Sequence, residues 1–159
     1  MTNPRERGQG LGASRGGGPK RDKPLANIDL DGIDLGKPSP EMFDEVAQRA
    51  AVKLAANKRS NKPSQLRRFF DELVMWDTKI NTAGGTEARE RIFGESLPFI
   101  RMMNAKAAYA EGRDLVDVNF AALFSHCIRQ INSPETLRTG RMFFEALLGF
   151  YKLERPKDS

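Results

Sequence analysis

Chemically reactive side chains are scarce in this chain of 159 residues, which has one cysteine, one histidine and one tryptophan. A single cysteine, Cys127, cannot form an intrachain disulfide, and this excludes a disulfide-stabilised secreted domain. One histidine and one cysteine cannot build a conventional zinc site either. We therefore expect no metal, no cofactor and a reducing compartment.

Long apolar runs are also missing from the sequence. No stretch approaches the ~20 residues of a membrane span, and the N-terminus lacks the apolar core of a signal peptide. The chain carries 26 lysine and arginine residues against 21 acidic ones, a formal net charge of +5. These features predict a mildly basic cytoplasmic protein with no membrane partner.

Residues 1–38 differ in composition from the rest of the chain. The segment 1–24 holds six basic and two acidic residues and no aromatic residue, so it has too little apolar surface to offset the entropy of ordering. Residues 25–38 follow as a short acidic linker that lacks the closing glutamate of a calcium loop. We predict a disordered Gly/Arg-rich basic tail and linker over 1–38, and a helical bundle domain over 39–155.

From residue 39 onward, apolar residues recur at helical spacing. The pattern predicts five helices, over residues 39–58, 63–80, 86–113, 114–131 and 133–151. Ser39 is expected to cap the first helix and Asp114 the fourth, and an interruption is expected near Gly94 with a restart at Ser96. The fourth helix is apolar nearly all round, which predicts a central, buried position. The expected fold is all-α, a compact antiparallel bundle of about five helices.

Groups that could support catalysis are nearly absent. His126 and Cys127 are adjacent in a helix, so their side chains diverge by about 100° and cannot form a nucleophile–base pair. A structural, buried role is expected for both. Glu87 and Glu90 have no histidine nearby to complete a metal site. We therefore predict no catalytic residues and no enzymatic activity.

Basic residues are more informative, because no acidic residue occurs between Glu45 and Asp71. A run of one charge sign is unusual on a solvated helix surface, where both signs normally alternate. A polyanion would relieve the repulsion within this run. The candidate phosphate contacts here are Arg49, Lys53, Lys58, Arg59, Lys62, Arg67 and Arg68.

Lys106, Tyr109 and Arg113 form a second basic element, because spacings of three and four place them on one helix face beside Met102. Such a stripe can contact phosphates while the ring lies against a ribose or a base. Alternatively, Tyr109 belongs to the core and the two cations only cover it. Arg129 and Arg141 are further candidates, although either could neutralise a helix C-terminus or a carboxylate. The residues alone favour RNA or DNA backbone binding over a protein-partner role, but only modestly.

Three segments carry a resemblance to a known family: residues 64–73 (SQLRRFFDEL), 106–113 (KAAYAEGR) and 144–152 (FEALLGFYK). In this order and spacing, over about residues 58–152, they resemble the small subunit of type III-A CRISPR effector complexes, the Csm complexes. The tail 1–38 lies outside the resemblance.

The resemblance implies a compact helical, non-catalytic protein that stacks head to tail beside the backbone of a ribonucleoprotein. Its expected partners are guide RNA and target RNA, the polymerase-like large subunit, the backbone subunit and copies of itself. It also implies that Lys58, Lys62, Arg67, Arg68, Lys106 and Arg113 contact phosphates.

Two alternatives remain at this point. One is the small subunit of a related type III-B complex, which has the same role. The other is a helical protein–protein adaptor without RNA binding, whose exposed aromatic residues Trp76, Phe99 and Tyr151 dock a partner helix.

Overall fold

A computed structural model describes residues 24–156, and the part of the expected tail at 1–23 lies outside the described residues. A short 3₁₀ turn, Pro40–Phe43, leads into five α-helices, and residues 24–156 contain no strand. The helices are α1 Glu45–Ala55, α2 Pro63–Asn81, α3 Thr86–Gly112, α4 Val118–Gln130 and α5 Pro134–Glu154. The predicted all-α fold of five helices is confirmed.

Contacts around Asn61 establish the direction of each helix. The backbone N–H of Asn61 donates to the Leu115 carbonyl at 3.2 Å, and Arg155 Nη1 donates to the Ser60 carbonyl at 2.8 Å. The α1–α2 connection, the α3–α4 connection and the C-terminus of α5 therefore meet at one end of the bundle, called here the Asn61 end. Helices α1, α3 and α5 run towards it and α2 and α4 run away from it, so consecutive helices are antiparallel.

Aromatic residues from three helices form the centre of the core. Phe69 of α2 lies 5.3 Å from the Phe120 ring and 5.0 Å from the Phe124 ring, and Phe124 lies 5.6 Å from Phe144 of α5. Arg129 is the one residue of α4 that is exposed. The expected burial of this helix is confirmed, but the expected central position is wrong: α5 lies at the centre, packed against α1 and α2, whereas α4 packs mainly against α3.

The segment 24–38 differs from the expected disordered linker, because it packs along α4. Ile33 and Leu35 are 3% and 2% exposed. Gln130 accepts the Leu35 N–H at 2.9 Å and donates to the Ile33 carbonyl at 3.1 Å, and His126 Nε2 donates to the same carbonyl at 2.9 Å. Side chains of α4 thus form hydrogen bonds with the backbone of this arm, and its two apolar residues enter the core. The arm is therefore ordered.

The expected interruption of the third helix is wrong, since α3 continues through Gly94, Ser96 and Pro98. Pro98 lacks the N–H that would bond to the Gly94 carbonyl, which normally bends or breaks a helix. Phe93, Ser96 and Ile100 are nevertheless buried on both sides of it. Packing against the core therefore holds the helix together across the proline.

Helix starts agree with the sequence pattern in some cases and differ in others. Ser133 accepts the Thr136 N–H at 3.1 Å and caps α5. The cap of α4 is Asp117, which accepts the Phe120 N–H at 2.9 Å, whereas Asp114 lies in the preceding turn with φ 59°. Ser39 precedes the 3₁₀ turn and makes no side-chain capping bond, and α1 itself ends at Ala55. The prediction for Asp114 was therefore wrong, whereas Ser39 does take an N-cap position, but of the 3₁₀ turn and not of α1.

Candidate nucleic-acid interface

Five cations lie together at or next to the Asn61 end, and we call them the basic end: Lys53, Lys58, Arg59, Lys62 and Arg113. They come from the last turn of α1, the α1–α2 connection and the residue after α3. Two hydrogen bonds join these segments, from Asn57 Nδ2 to Asp117 Oδ2 at 3.0 Å and from Ser60 Oγ to the Asp114 carbonyl at 3.3 Å. Tertiary structure therefore brings Arg113 to the same end of the bundle as the basic residues that begin at Lys53, although they are distant in the sequence.

Members of the basic end make no ion pair within residues 24–156, where the six ion pairs involve other cations. Lys53 is half-buried and the other four residues are exposed. The guanidinium of Arg113 donates to the Tyr109 hydroxyl at 3.1 Å and lies 5.7 Å from the centre of that ring. These positive charges are thus not neutralised by an ion pair inside the described fold.

Four other predicted cations have carboxylate partners: Arg49, Arg67, Lys106 and Arg141. Arg49 Nη2 lies 3.4 Å from Asp29 Oδ2 and donates to the Asp31 carbonyl at 3.2 Å. Arg49 thus finds a carboxylate from outside the basic run, because the acidic arm folds back onto α1. Arg67 pairs with Asp71 one turn along α2 at 3.2 Å, whereas the neighbouring Arg68 is exposed and makes no ion pair in the described part of the chain.

The third paired cation is Lys106, on the stripe that it forms with Tyr109 and Arg113. Lys106 Nζ lies 2.6 Å from Glu72 Oε1 across the α2–α3 contact. Tyr109 is 64% exposed, which overturns the alternative that it belongs to the core. The predicted stripe therefore lies on the surface with its ring accessible.

Arg141 and Arg129 lie apart from the basic end. Arg141 Nε is 3.0 Å from Asp77 Oδ2 and its Nη1 is 2.6 Å from Glu145 Oε2, so two carboxylates hold this guanidinium between α2 and α5. Arg129 is exposed near the end of α4. By helix rise it lies about 18 Å along that axis from Asp117. The structure does not bring either residue to the other candidates.

A groove of about 890 Å³ lies beside the basic end, between the arm and the two connections. Lys53 and Arg59 line it together with Glu111, Asp114 and Asp117, so its charge is mixed. Sequence analysis missed this groove because Leu25 and Asn27 were assigned to a disordered linker.

Aromatic residues of the adaptor alternative are only partly accessible. Tyr151 is 1% exposed and its hydroxyl donates to the Asn61 carbonyl, so its expected exposure was wrong. Phe99 is 53% exposed and stacks on the half-buried Trp76, with ring centres 6.1 Å apart and an interplanar angle of 17°. This pair faces solvent on the α2–α3 side of the bundle.

Cys127 and His126, the two side chains considered for catalysis, make structural contacts. Cys127 is 1% exposed, and burial raises the pKa of its thiol well above the ordinary range. His126 is half-buried rather than buried, and it holds the arm through Ile33. Residues 24–156 contain no group of three or more side chains that could hold a metal ion. No helix in this part of the chain is both long and apolar enough to cross a bilayer.

Comparison with known families agrees with the motifs in α2, α3 and α5. The family model described as Csm2 Type III-A matches residues 37–157, a range that includes all five helices. This chain belongs to that family. Its membership identifies the protein as a small subunit of type III-A CRISPR complexes and confirms the resemblance over residues 58–152. No curated protein and no solved structure matches the chain significantly.

Proposed function

We propose that this protein is a non-catalytic structural subunit that binds RNA inside a type III-A ribonucleoprotein. The observation that carries the proposal is the basic end, whose five cations make no ion pair in the described structure. Phosphate groups would supply the missing negative charge. The proposed partners are guide RNA, target RNA, the polymerase-like large subunit, the backbone subunit and further copies of the chain, in the cytoplasm.

Local geometry at the start of α2 supports phosphate binding. Lys62 precedes the helix, and the first turn contains no acidic residue. The unpaired N–H groups and the dipole of a helix N-terminus favour an anion, and an acidic first turn would compete with it. Lys62 and Arg68 add formal charge on either side of this turn.

The proposed contacts are independent of RNA sequence. Lysine and arginine bind phosphate oxygens, which are the same for every nucleotide, while base pairing with the guide supplies specificity. One copy offers only a few contacts, so we propose that several copies stack head to tail along the RNA. Linked contacts then raise the overall affinity without any new contact in each copy.

Titration of the full chain with fluorescently labelled RNA tests this proposal. Two single-stranded RNAs of equal length and unrelated sequence are compared over a series of salt concentrations. We expect weak binding, equal affinities for both RNAs, and a decrease of about 0.7 log units in the binding constant per log unit of salt for each phosphate contact. Affinity that ignores salt, or that depends on one sequence, would contradict it.

Isolation of the tagged chain from its native cells at moderate salt tests the assembly. We expect it to co-purify with the large polymerase-like subunit and with short RNAs that share a common 5′ segment. Recovery of partner proteins without RNA would instead favour the adaptor.

The two alternatives now have less support. The matched family is the type III-A one, which argues against a type III-B subunit. The adaptor loses Tyr151 as a docking residue, because that ring is in the core.

A further inference from the structure

A stripe of exposed side chains runs along α3 from its middle to the Asn61 end: Phe99, Met102, Lys106, Tyr109 and Arg113. We call it the α3 stripe. Successive spacings of three, four, three and four residues keep these side chains within one helix face. Phe99, Met102 and Tyr109 are 53%, 52% and 64% exposed. Three large apolar groups exposed on one helix face form a patch, and such patches mark candidate interaction sites.

Two cations interleave with the apolar groups in the half of this stripe nearest the Asn61 end. Lys106 lies between Met102 and Tyr109, and Arg113 ends the stripe and also belongs to the basic end. On α2, Lys79 Nζ lies 5.3 Å from the centre of the Trp76 ring, which stacks on Phe99.

Glu72 is a carboxylate of α2 beside the stripe, and it orders two neighbouring groups. One of its oxygens accepts the Trp76 Nε1–H at 3.3 Å and the other pairs with Lys106 at 2.6 Å. Only Lys106 of these cations pairs with Glu72, and Lys79 and Arg113 add two further positive charges on or beside the stripe.

We infer that the α3 stripe binds an unpaired RNA strand, with bases stacked on Phe99 and on Tyr109. This inference rests on the proposed function and adds which form of RNA the protein prefers. Aromatic rings interleaved with cations suit single strands, because each base presents a flat face and each linkage a phosphate. A partner helix that docks through apolar side chains would instead meet a lysine or an arginine at two of the five positions of the α3 stripe.

Distance along the helix agrees with a short strand. Ten residues separate Phe99 from Tyr109, which corresponds to about 15 Å of helix rise. A stacked strand advances ~3.4 Å per nucleotide, so about four steps cover this span. Bases inside a duplex have both faces covered by their neighbours, and they cannot stack on either ring.

Trp76 provides a direct reporter, since it is the only tryptophan of the chain and contacts Phe99. The full chain is titrated with unlabelled oligouridine and, separately, with an RNA duplex of equal length, while tryptophan emission is recorded. Anisotropy of labelled versions of both RNAs gives the affinities. We expect oligouridine to lower the Trp76 emission and the duplex to leave it unchanged.

Variants separate stacking from charge. Phe99→Ala is expected to weaken oligouridine binding about 5-fold or more and to leave duplex affinity unchanged. Tyr109→Leu, which keeps an apolar side chain without the ring, is expected to act in the same direction. Met142→Ala removes an apolar residue of α5 that is 41% exposed, and this matched control should alter neither affinity.

Each other outcome has a definite meaning. Salt-dependent RNA binding with unchanged Trp76 emission and unchanged affinity in Phe99→Ala would overturn the stacking inference and leave the proposed function standing. Equal emission changes with both RNAs would overturn the preference for unpaired strands. Absence of binding to either RNA would overturn both proposals, and an emission change caused only by another purified subunit would assign the stripe to protein docking.

Discussion

Cys127 illustrates how position alone can make a reactive residue inert. Its side chain faces the core from helix α4 and is 1% exposed. A thiolate in such surroundings would lose its hydration, and this is why burial raises the pKa of the thiol. Because only the thiolate is nucleophilic, the folded protein keeps this group unreactive.

This raised pKa predicts a specific dependence of stability on pH. In the unfolded chain the thiol ionises near its ordinary pKa of about 8.5, whereas in the folded chain it stays protonated to higher pH. Above pH ~8.5 the unfolded state binds fewer protons than the folded state. The free energy of unfolding therefore falls by about 1.4 kcal/mol per pH unit from this group. Denaturant unfolding of the wild-type chain at several pH values, with reductant present, measures the slope.

Cys127→Ala serves as the control, because it lacks the thiol but retains all other titrating groups. We expect the stability advantage of the wild type over this variant to shrink steadily above pH ~8.5. A difference that stays constant to pH 10 would show that the thiol ionises equally in both states.

At the scale of elements, the arm over residues 24–38 contributes to the core although it has no helix. Leu35 is 2% exposed, and its Cδ1 lies 3.3 Å from the position that a Cβ on Gly140 would occupy. The glycine on α5 therefore lets the arm approach that helix closely. An arm of this kind stabilises the bundle as a buried helix face would.

Leu35→Ala tests the contribution of the arm. Removing a fully buried leucine side chain leaves a cavity, and we expect a loss of about 2–4 kcal/mol in the free energy of unfolding. Leu25→Ala is the matched control in the same arm, because Leu25 is 91% exposed and its truncation should change stability little. Equal stability of both variants in denaturant unfolding would mean that the arm does not pack in solution.

Glycine inside α3 offers a second test at this scale. Gly94 lies in an exposed helical position, and a Cβ added there would meet no atom within 4 Å. Alanine has the higher helix propensity, so Gly94→Ala is expected to raise the free energy of unfolding by about 0.5–1 kcal/mol. Thermal unfolding monitored by circular dichroism measures the change.

Gly32→Ala is the opposite case for comparison. Gly32 has φ +83°, and an added Cβ would lie 3.1 Å from Val46 Cγ2. We expect this variant to be less stable than the wild type, because alanine is strained in the left-handed region.

A destabilising Gly94→Ala would indicate that α3 does bend at Pro98 and needs the glycine there.

Charge is unevenly distributed over the whole molecule. Four predicted cations, Arg49, Arg67, Lys106 and Arg141, are occupied by carboxylates. The basic end has no such partners in the described structure, and it also surrounds the start of α2. This arrangement predicts that RNA affinity depends on a few cations at one end rather than on net charge.

The triple substitution Lys58→Gln, Arg59→Gln and Lys62→Gln tests that dependence. If each residue contacts one phosphate of a single strand, the slope of log binding constant against log salt should become shallower by about 2. Binding of labelled single-stranded RNA over a salt series provides the slope. All three side chains are exposed, so the fold should be retained.

A matched variant removes three exposed cations elsewhere: Lys37→Gln, Arg91→Gln and Arg138→Gln. It lowers the net charge by the same amount but leaves the basic end intact. We expect it to keep most of the wild-type affinity and slope. Equal losses in both triple variants would mean that the chain binds RNA through its overall charge alone.

Much of the fold and some of the site could be predicted from local patterns. Helical periodicity predicted all five helices, and the last was correctly expected to start at residue 133. Continuity of α3 across Pro98 could not be predicted, because it depends on packing against other helices. Ion pairs such as Lys106–Glu72 and Arg49–Asp29 join residues far apart in the chain. Because neither carboxylate lies near its cation in the sequence, local sequence patterns could not predict these pairs.

By itself the sequence determined the all-α class, the burial of α4 and the family, since each depends on residue types at short, regular spacings. Only the tertiary structure decided which charges remain unpaired, whether Tyr109 and Tyr151 are exposed, and that the arm joins the core. Those properties arise from contacts between distant segments, and such contacts exist only after the helices have packed.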